Sequence, residues 1–223
     1  MANKRYQVDY EGEKQTVEVN GELLTVWPEN LHVQNVVDSP SIFITWFDDT
    51  QKYHDKLINK ALELEQDKSW AHRMPIGGSK IRDLEEWGMQ EADLLTARAT
   101  EFFARATGRS DVLVTQSWAN ISRYSEYLTA HSHTDCVASM VYMLNWGDHV
   151  EEPPYSGQLS FSDPRIEYCC PDEPDRMTRE LVPKMRDGAL CIFPSELIHY
   201  VHPYWGKEQP RITVAWNFKF SNG

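Results

Sequence analysis

In the stretch HSHTD, His131, His133 and Asp135 occupy alternate positions. A strand turns successive side chains to opposite faces, so all three would project to one side. Imidazoles and a carboxylate are ligands for a divalent metal. Two His and one carboxylate on a single face leave the other coordination positions open, which suits an iron(II) centre where oxygen and a second small molecule must both bind. Zinc competes for the same donors. A lone His in a strand is more often a packed or solvated residue than a ligand, but here three polar groups share one face. A second strand has to supply the remaining donor, and IHYVHP offers His199 and His202. Three residues apart on a strand, these face opposite sides, so one of them joins the row. Arg211 and Thr213 then form an i, i+2 pair in RITVAWNF. An Arg opening a strand is usually solvated, yet a guanidinium there offers a forked, permanent positive charge to a carboxylate, and the hydroxyl adds a donor.

The elements that must position these groups are legible as patterns. Residues 5–37 alternate polar and apolar in short runs broken by EGE, NGE and PEN, which predicts hairpins. Asp49–Asp67 carries Tyr53, Leu57, Ile58, Ala61 and Leu64 at helical spacing, with Asp or Thr as cap; Met89–Ala106 does the same and ends at Gly108. After Gly108 the segments DVLVTQSWANISRY, SMVYMLNW, GQLSF, ALCIFP, IHYVHPYW and RITVAWNFKF are short, β-branched and aromatic. They predict a β sandwich or barrel. Loops at 68–88, with MPIGGSK, and at 148–180 separate the elements.

The 223 residues fit one domain spanning 1–223, with N-terminal hairpins in 1–45, helices in 46–110 and a β core in 111–220. A net charge of -12, with no run of Lys or Arg, disfavours a nucleic-acid partner. No signal-like or membrane-spanning apolar stretch is evident, so the expectation is a cytoplasmic protein with no membrane partner. The four Cys lack paired metal-site spacing and read as reduced thiols; the vicinal Cys169-Cys170 is assigned no role.

The ordered motifs resemble the 2-oxoglutarate and iron(II)-dependent dioxygenases, within them the prolyl-hydroxylase-like branch. His133-x-Asp135 resembles that family's HxD motif, and VYMLN (141–145) the strand after it. GQLSF (157–161) is similar to the family's Gly-rich strand, GALCIFPSELIHYVHPYWG (188–206) to the segment ending in the distal His, and PRITVAWNF (210–218) to the strand bearing the co-substrate Arg. The His-x-Val-x-Pro context favours His199 over His202. HSH is closer to a less characterised branch of these oxygenases that often has His-x-His-Pro at this place, which leaves His131 as structural residue, contact or alternative ligand.

The resemblance implies a mainly β (α+β) fold, a double-stranded β-helix or jelly-roll with flanking N-terminal helices. It implies Fe(II) held by His133, Asp135 and His199, with 2-oxoglutarate gripped by Arg211, Thr213 and Tyr124. Oxygen then oxidises an unactivated C–H bond of a small molecule, amino acid or peptide residue as 2-oxoglutarate loses carbon dioxide. Asp135, in place of the Gly or Ala of related halogenases, favours hydroxylation. Two rivals remain: a cupin-like metalloenzyme, dioxygenase or isomerase, that makes no use of Arg211, and a non-catalytic jelly-roll binding protein.

Overall fold

The computed structural model describes residues 14–38, 41–162 and 180–221. The start of the expected hairpin region and the Cys169-Cys170 pair lie outside the described residues. The chain opens with the hairpin β1 (Thr16–Val19) and β2 (Glu22–Thr25), then β3 (Gln34–Asp38) and β4 (Ser41–Trp46). Asn20 and Gly21, both at positive φ, turn the first hairpin, the requirement that an Asn-Gly pair meets most cheaply. Helix α1 (His54–Leu64) precedes β5 (Ala71–Arg73) and β6 (Ser79–Arg82), and α2 spans Gln90–Thr107. Gly108 ends α2 in the left-handed conformation expected of it.

Eight further strands follow: β7 (Val112–Ser122), β8 (Leu128–His131), β9 (Ala138–Asn145), β10 (Leu159–Ser162), β11 (Glu180–Leu181), β12 (Ala189–Pro194), β13 (His199–Val201) and β14 (Arg211–Phe220). Apart from the consecutive pair β10 and β11, which both join the smaller sheet, they alternate between two antiparallel sheets. The larger runs β3-β4-β12-β9-β14-β7-β6-β5 and the smaller β11-β10-β13-β8. This is the jelly-roll expected from the sequence, extended at both edges of the major sheet by strands from the N-terminal half.

Strand β14 shows why the sequence reads as an almost continuous apolar run. Ile212, Val214, Trp216 and Phe218 pack with Leu95, Phe102 and Phe103 of α2 in one core. The alternate residues Arg211, Thr213, Ala215 and Asn217 are buried too, on the opposite face of the strand, because the minor sheet closes over that side. A second core, with Met143, Phe161, Phe193 and Leu197, fills the space between the sheets. No helix among the described residues is long and apolar enough to cross a membrane.

The first helix begins later than its periodicity suggests. Thr50–Lys52 form a 3-10 turn, and Tyr53, without a side-chain cap bond, starts α1. The reason is a buried polar network: Tyr53 and Tyr142 hydroxyls are 2.9 Å apart, His54 Nε2 lies 2.6 Å from the Tyr142 hydroxyl, and Arg98 donates to Tyr53 at 3.0 Å. Arg98 also forks onto Asp49 at 2.8 and 2.6 Å. Burial, opposed by Asp49 and aided by Arg98, lowers the His54 pKa from its ordinary 6.5 to about 4. Between those values the unfolded chain binds a proton that the folded chain refuses, so stability falls as pH drops from 6.5 toward 4. At about 1.4 kcal/mol per pKa unit, His54 alone accounts for up to roughly 3 kcal/mol. Denaturant melts at pH 7 and 4.5 should therefore show a smaller acid loss for His54→Gln than for the wild type; equal losses would refute this assignment.

Candidate metal and carboxylate site

The sheet register decides which side chains meet between the layers. Directly paired residues share a face, and β6, β7, β14 and β9 align Lys80 with Asn120, Asn120 with Thr213, and Thr213 with Met143. One step along, Trp118, Ala215 and Val141 form a parallel row. Lys80, Asn120 and Thr213 of the first row and all three residues of the second line a cavity of about 150 Å³, which Arg211 and three imidazoles complete.

On the minor sheet, His199 of β13 is the cross-strand partner of His131 at the end of β8. His133 follows in a loop tied down by its backbone N–H to the Ser195 carbonyl at 2.8 Å. The nitrogens of His131, His133 and His199 lie within 4.8 Å of one another, with His133 Nε2 and His199 Nε2 3.3 Å apart. Two nitrogens each about 2.1 Å from one ion, and at right angles, would be about 3 Å apart.

The outward nitrogens are already committed. His199 Nδ1 is 2.9 Å from the Leu197 carbonyl and His131 Nδ1 is 2.6 Å from that of Thr129. A carbonyl only accepts, so these Nδ1 atoms carry the proton and each Nε2 presents its lone pair, as in histidines whose other ring nitrogen is held by a carbonyl while they bind a metal. His133 Nδ1 lies 3.4 Å from the Asn217 side-chain amide. Burial, reinforced by His131, lowers His199 to about 3; burial, then His131 and Lys80, lowers His133 to about 4. Both are neutral at physiological pH, as ligation requires.

Asp135 does not join this group. β8 ends at His131, and the 133–137 segment clips onto Ser195, which bonds the carbonyls of Cys136 and Val137. The residues between form a bend with Asp135 at φ +60°, exposed at its apex. His131 and His133 come together, but not as neighbours on one extended strand, and Asp135 stays apart because the chain leaves the extended form before it. Asp is among the few residues that accept a left-handed backbone cheaply. His202 faces away, as period-two alternation required, and meets Glu180 at 2.7 Å and Ser160 at 3.0 Å. Burial opposes ionisation of Glu180, but hydrogen bonds from His202, Ser160 and Tyr200 outweigh it and bring its pKa to about 2.

Arg211 is 1% exposed, and its Nε and Nη2 have no hydrogen-bond partner. Burial brings its pKa down to about 10, with Tyr204 opposing, so it remains a cation with unmet donors. Gly157, at φ +65°, packs on it: a Cβ there would sit 2.8 Å from Arg211 Cδ. Thr213 is buried beside it in the same cavity. Tyr124 stands elsewhere, 49% exposed, with its ring edge-on to Trp205 at 5.3 Å and outside the cavity lining. Lys80, Trp118 and Asn217 are the neighbours that motif reasoning passed over. Lys80 lies in the MPIGGSK segment, whose loop character hid its place in β6, between β7 and β5.

A larger hollow of about 730 Å³ opens between the first hairpin and residues 46–52. Among the described residues it gathers neither imidazoles nor an orphaned cation, so size does not mark the site here.

The fold and site together define a jelly-roll of the kind found in 2-oxoglutarate-dependent oxygenases. A prolyl hydroxylase from Trichoplax adhaerens, in complex with a hypoxia inducible factor peptide fragment, superposes with TM-score 0.56 at 13% identity, over 81% of this chain and 84% of that one. HygX from Streptomyces hygroscopicus, with nickel and 2-oxoglutarate bound, gives 0.58 at 10% identity, over 82% and 84%. SnoN, a non-heme alpha ketoglutarate dependent epimerase from nogalamycin biosynthesis, gives 0.57 at 12% identity, over 81% and 76%. More particularly, residues 116–217 match the family described as "Putative 2OG-Fe(II) oxygenase", and the matched segment holds the three imidazoles and Arg211. No curated protein sequence matches the chain.

Proposed function

We propose that the protein is a 2-oxoglutarate-dependent oxygenase in which His131, His133 and His199 hold Fe(II), with His131 standing where the sequence pattern put Asp135. Arg211 and Thr213 bind the distal carboxylate of 2-oxoglutarate. The observation that carries this reading is the buried Arg211 guanidinium, with two unmet donors, in one cavity with three converging imidazoles. An unpaired buried cation is costly unless an anion arrives. A small dianion with a carboxylate at each end meets both needs, one end at Arg211 and the other toward the metal. Bound there, iron and 2-oxoglutarate supply the oxidising power by reaction with oxygen. The chain's own work is to fix the imidazole tautomers through Leu197 and Thr129, to grip the co-substrate, and to keep water out behind Trp118, Leu159 and Phe193.

The outcome we propose is hydroxylation of an unactivated C–H bond in a small molecule, amino acid or peptide residue, in the cytoplasm. The cupin-like rival explains the imidazoles but leaves Arg211 buried and charged to no purpose. Incubation with Fe(II), 2-oxoglutarate and oxygen should release succinate slowly even without primary substrate, and chelation of the metal should stop it. Absence of succinate above the metal-free background contradicts this reading.

A further inference from the structure

Lys80 is the cation in this cavity that the co-substrate reading leaves without a counter-ion. It is half-buried on β6, its Nζ 3.9 Å from the centroid of the Trp118 ring. Trp118 in turn lies 5.6 Å from His133, ring to ring, so the ammonium is held on a platform beside the imidazoles. Among the described residues no carboxylate pairs with it. The charged and titratable groups that bear on it are like in sign or neutral: Arg82 depresses its pKa after burial does, and it in turn lowers His133 and, with Arg82, His72. The β5–β6 hairpin thus carries a basic edge in a chain of net charge -12; Arg73 on the same hairpin is already neutralised by Glu126.

Position separates Lys80 from the co-substrate anchor. Lys80 pairs with Asn120 and Asn120 with Thr213, which sets Lys80 two strand spacings, roughly 10 Å, from the Thr213 backbone. An ammonium over an indole face, short of water and without an anion, gains most from a carboxylate that completes the pair. With 2-oxoglutarate filling much of a cavity of about 150 Å³, only one end of a primary substrate can reach the imidazoles past Trp118.

We propose that Lys80, seated on Trp118, binds a carboxylate of the primary substrate, making the oxidised molecule a small carboxylic acid. The proposal rests on the oxygenase reading above. It is tested on protein loaded with Zn(II) and 2-oxoglutarate, using N-acetyl-L-leucine, N-acetyl-L-proline and N-acetyl-L-phenylalanine, each as free acid and as carboxamide. The readout is the methyl NMR signal of Met74, which lines the same cavity. At least one acid should shift this signal and bind 10-fold or more tighter than its amide. Lys80→Met should remove that preference and Lys80→Arg should keep most of it, with 2-oxoglutarate affinity in Lys80→Met unchanged within 2-fold. A preference that survives Lys80→Met, acids that never act on the wild type, or a 10-fold loss of 2-oxoglutarate affinity in Lys80→Met would each overturn the assignment. If the wild type takes up no 2-oxoglutarate at all, the parent reading fails first and this one falls with it.

Discussion

Replacing His131 by alanine is expected to weaken Fe(II) binding by at least about 100-fold, while Asp135→Ala keeps it within a few-fold. The effect is large because His131 is a converging donor, its Nε2 freed by the Nδ1 bond to Thr129, whereas even outer-shell partners of metal ligands are worth 10–100-fold. Asp135 is exposed at a left-handed bend and gains no ligand geometry from its neighbours. Removing it costs a solvated carboxylate and little else. Anaerobic equilibrium dialysis of both variants, with thermal melts to confirm folding, separates the cases. Iron retained by His131→Ala and lost by Asp135→Ala would restore His133, Asp135 and His199, the ligand set that the family resemblance implied.

Arg211→Met should act in opposite directions on stability and function. In the absence of co-substrate, the wild type carries a buried guanidinium with two unmet donors, so an apolar chain of similar length should raise unfolding free energy by on the order of 1–3 kcal/mol. The same change should weaken 2-oxoglutarate binding by more than about 100-fold, in line with the 2–5 kcal/mol lost on truncating a buried charge partner. Lysine at this position would keep the charge but not the fork, and should restore only part of the affinity. A structural arginine would behave otherwise: its loss would lower stability and leave 2-oxoglutarate binding alone. Denaturant unfolding and calorimetric titration on one preparation decide between them.

Much of the architecture was legible because it follows from local chemistry. Helix α2 announced itself by Leu94, Leu95, Phe102 and Phe103 and by Gly108 at its end. The core strands did so through β-branched and aromatic runs; the period of two put His199 and His202 on opposite faces, and the His-x-Val-x-Pro context of the family resemblance singled out His199. What stayed hidden depended on non-local pairing. Lys80 reaches the cavity only because β6 adds to the edge of β7, and nothing in SKIR predicts that neighbour. The backbone of Asp135 escaped period-two reasoning because alternation presumes an extended chain, and hydrogen bonds from Ser195, some sixty residues away, end the extension. Tyr124 was placed by analogy with the sheet before the motif, but β7 stops at Ser122 and the side chain turns out toward Trp205. The closeness of His131 to His199 is likewise a register fact: β8 and β13 align them as partners, and spacing within HSHTD cannot say so.

The measurement that bears most directly on the central claim is an anaerobic titration of the metal-free protein, first with Fe(II) and then with 2-oxoglutarate, followed in the visible spectrum. The account predicts that one equivalent of iron binds and that 2-oxoglutarate then produces the weak charge-transfer band of a keto acid chelated to iron, absent in His199→Ala and weakened in Arg211→Met. Iron that binds without any such band would contradict the co-substrate assignment and favour a cupin-like centre, and a wild type that binds no iron would contradict the account as a whole.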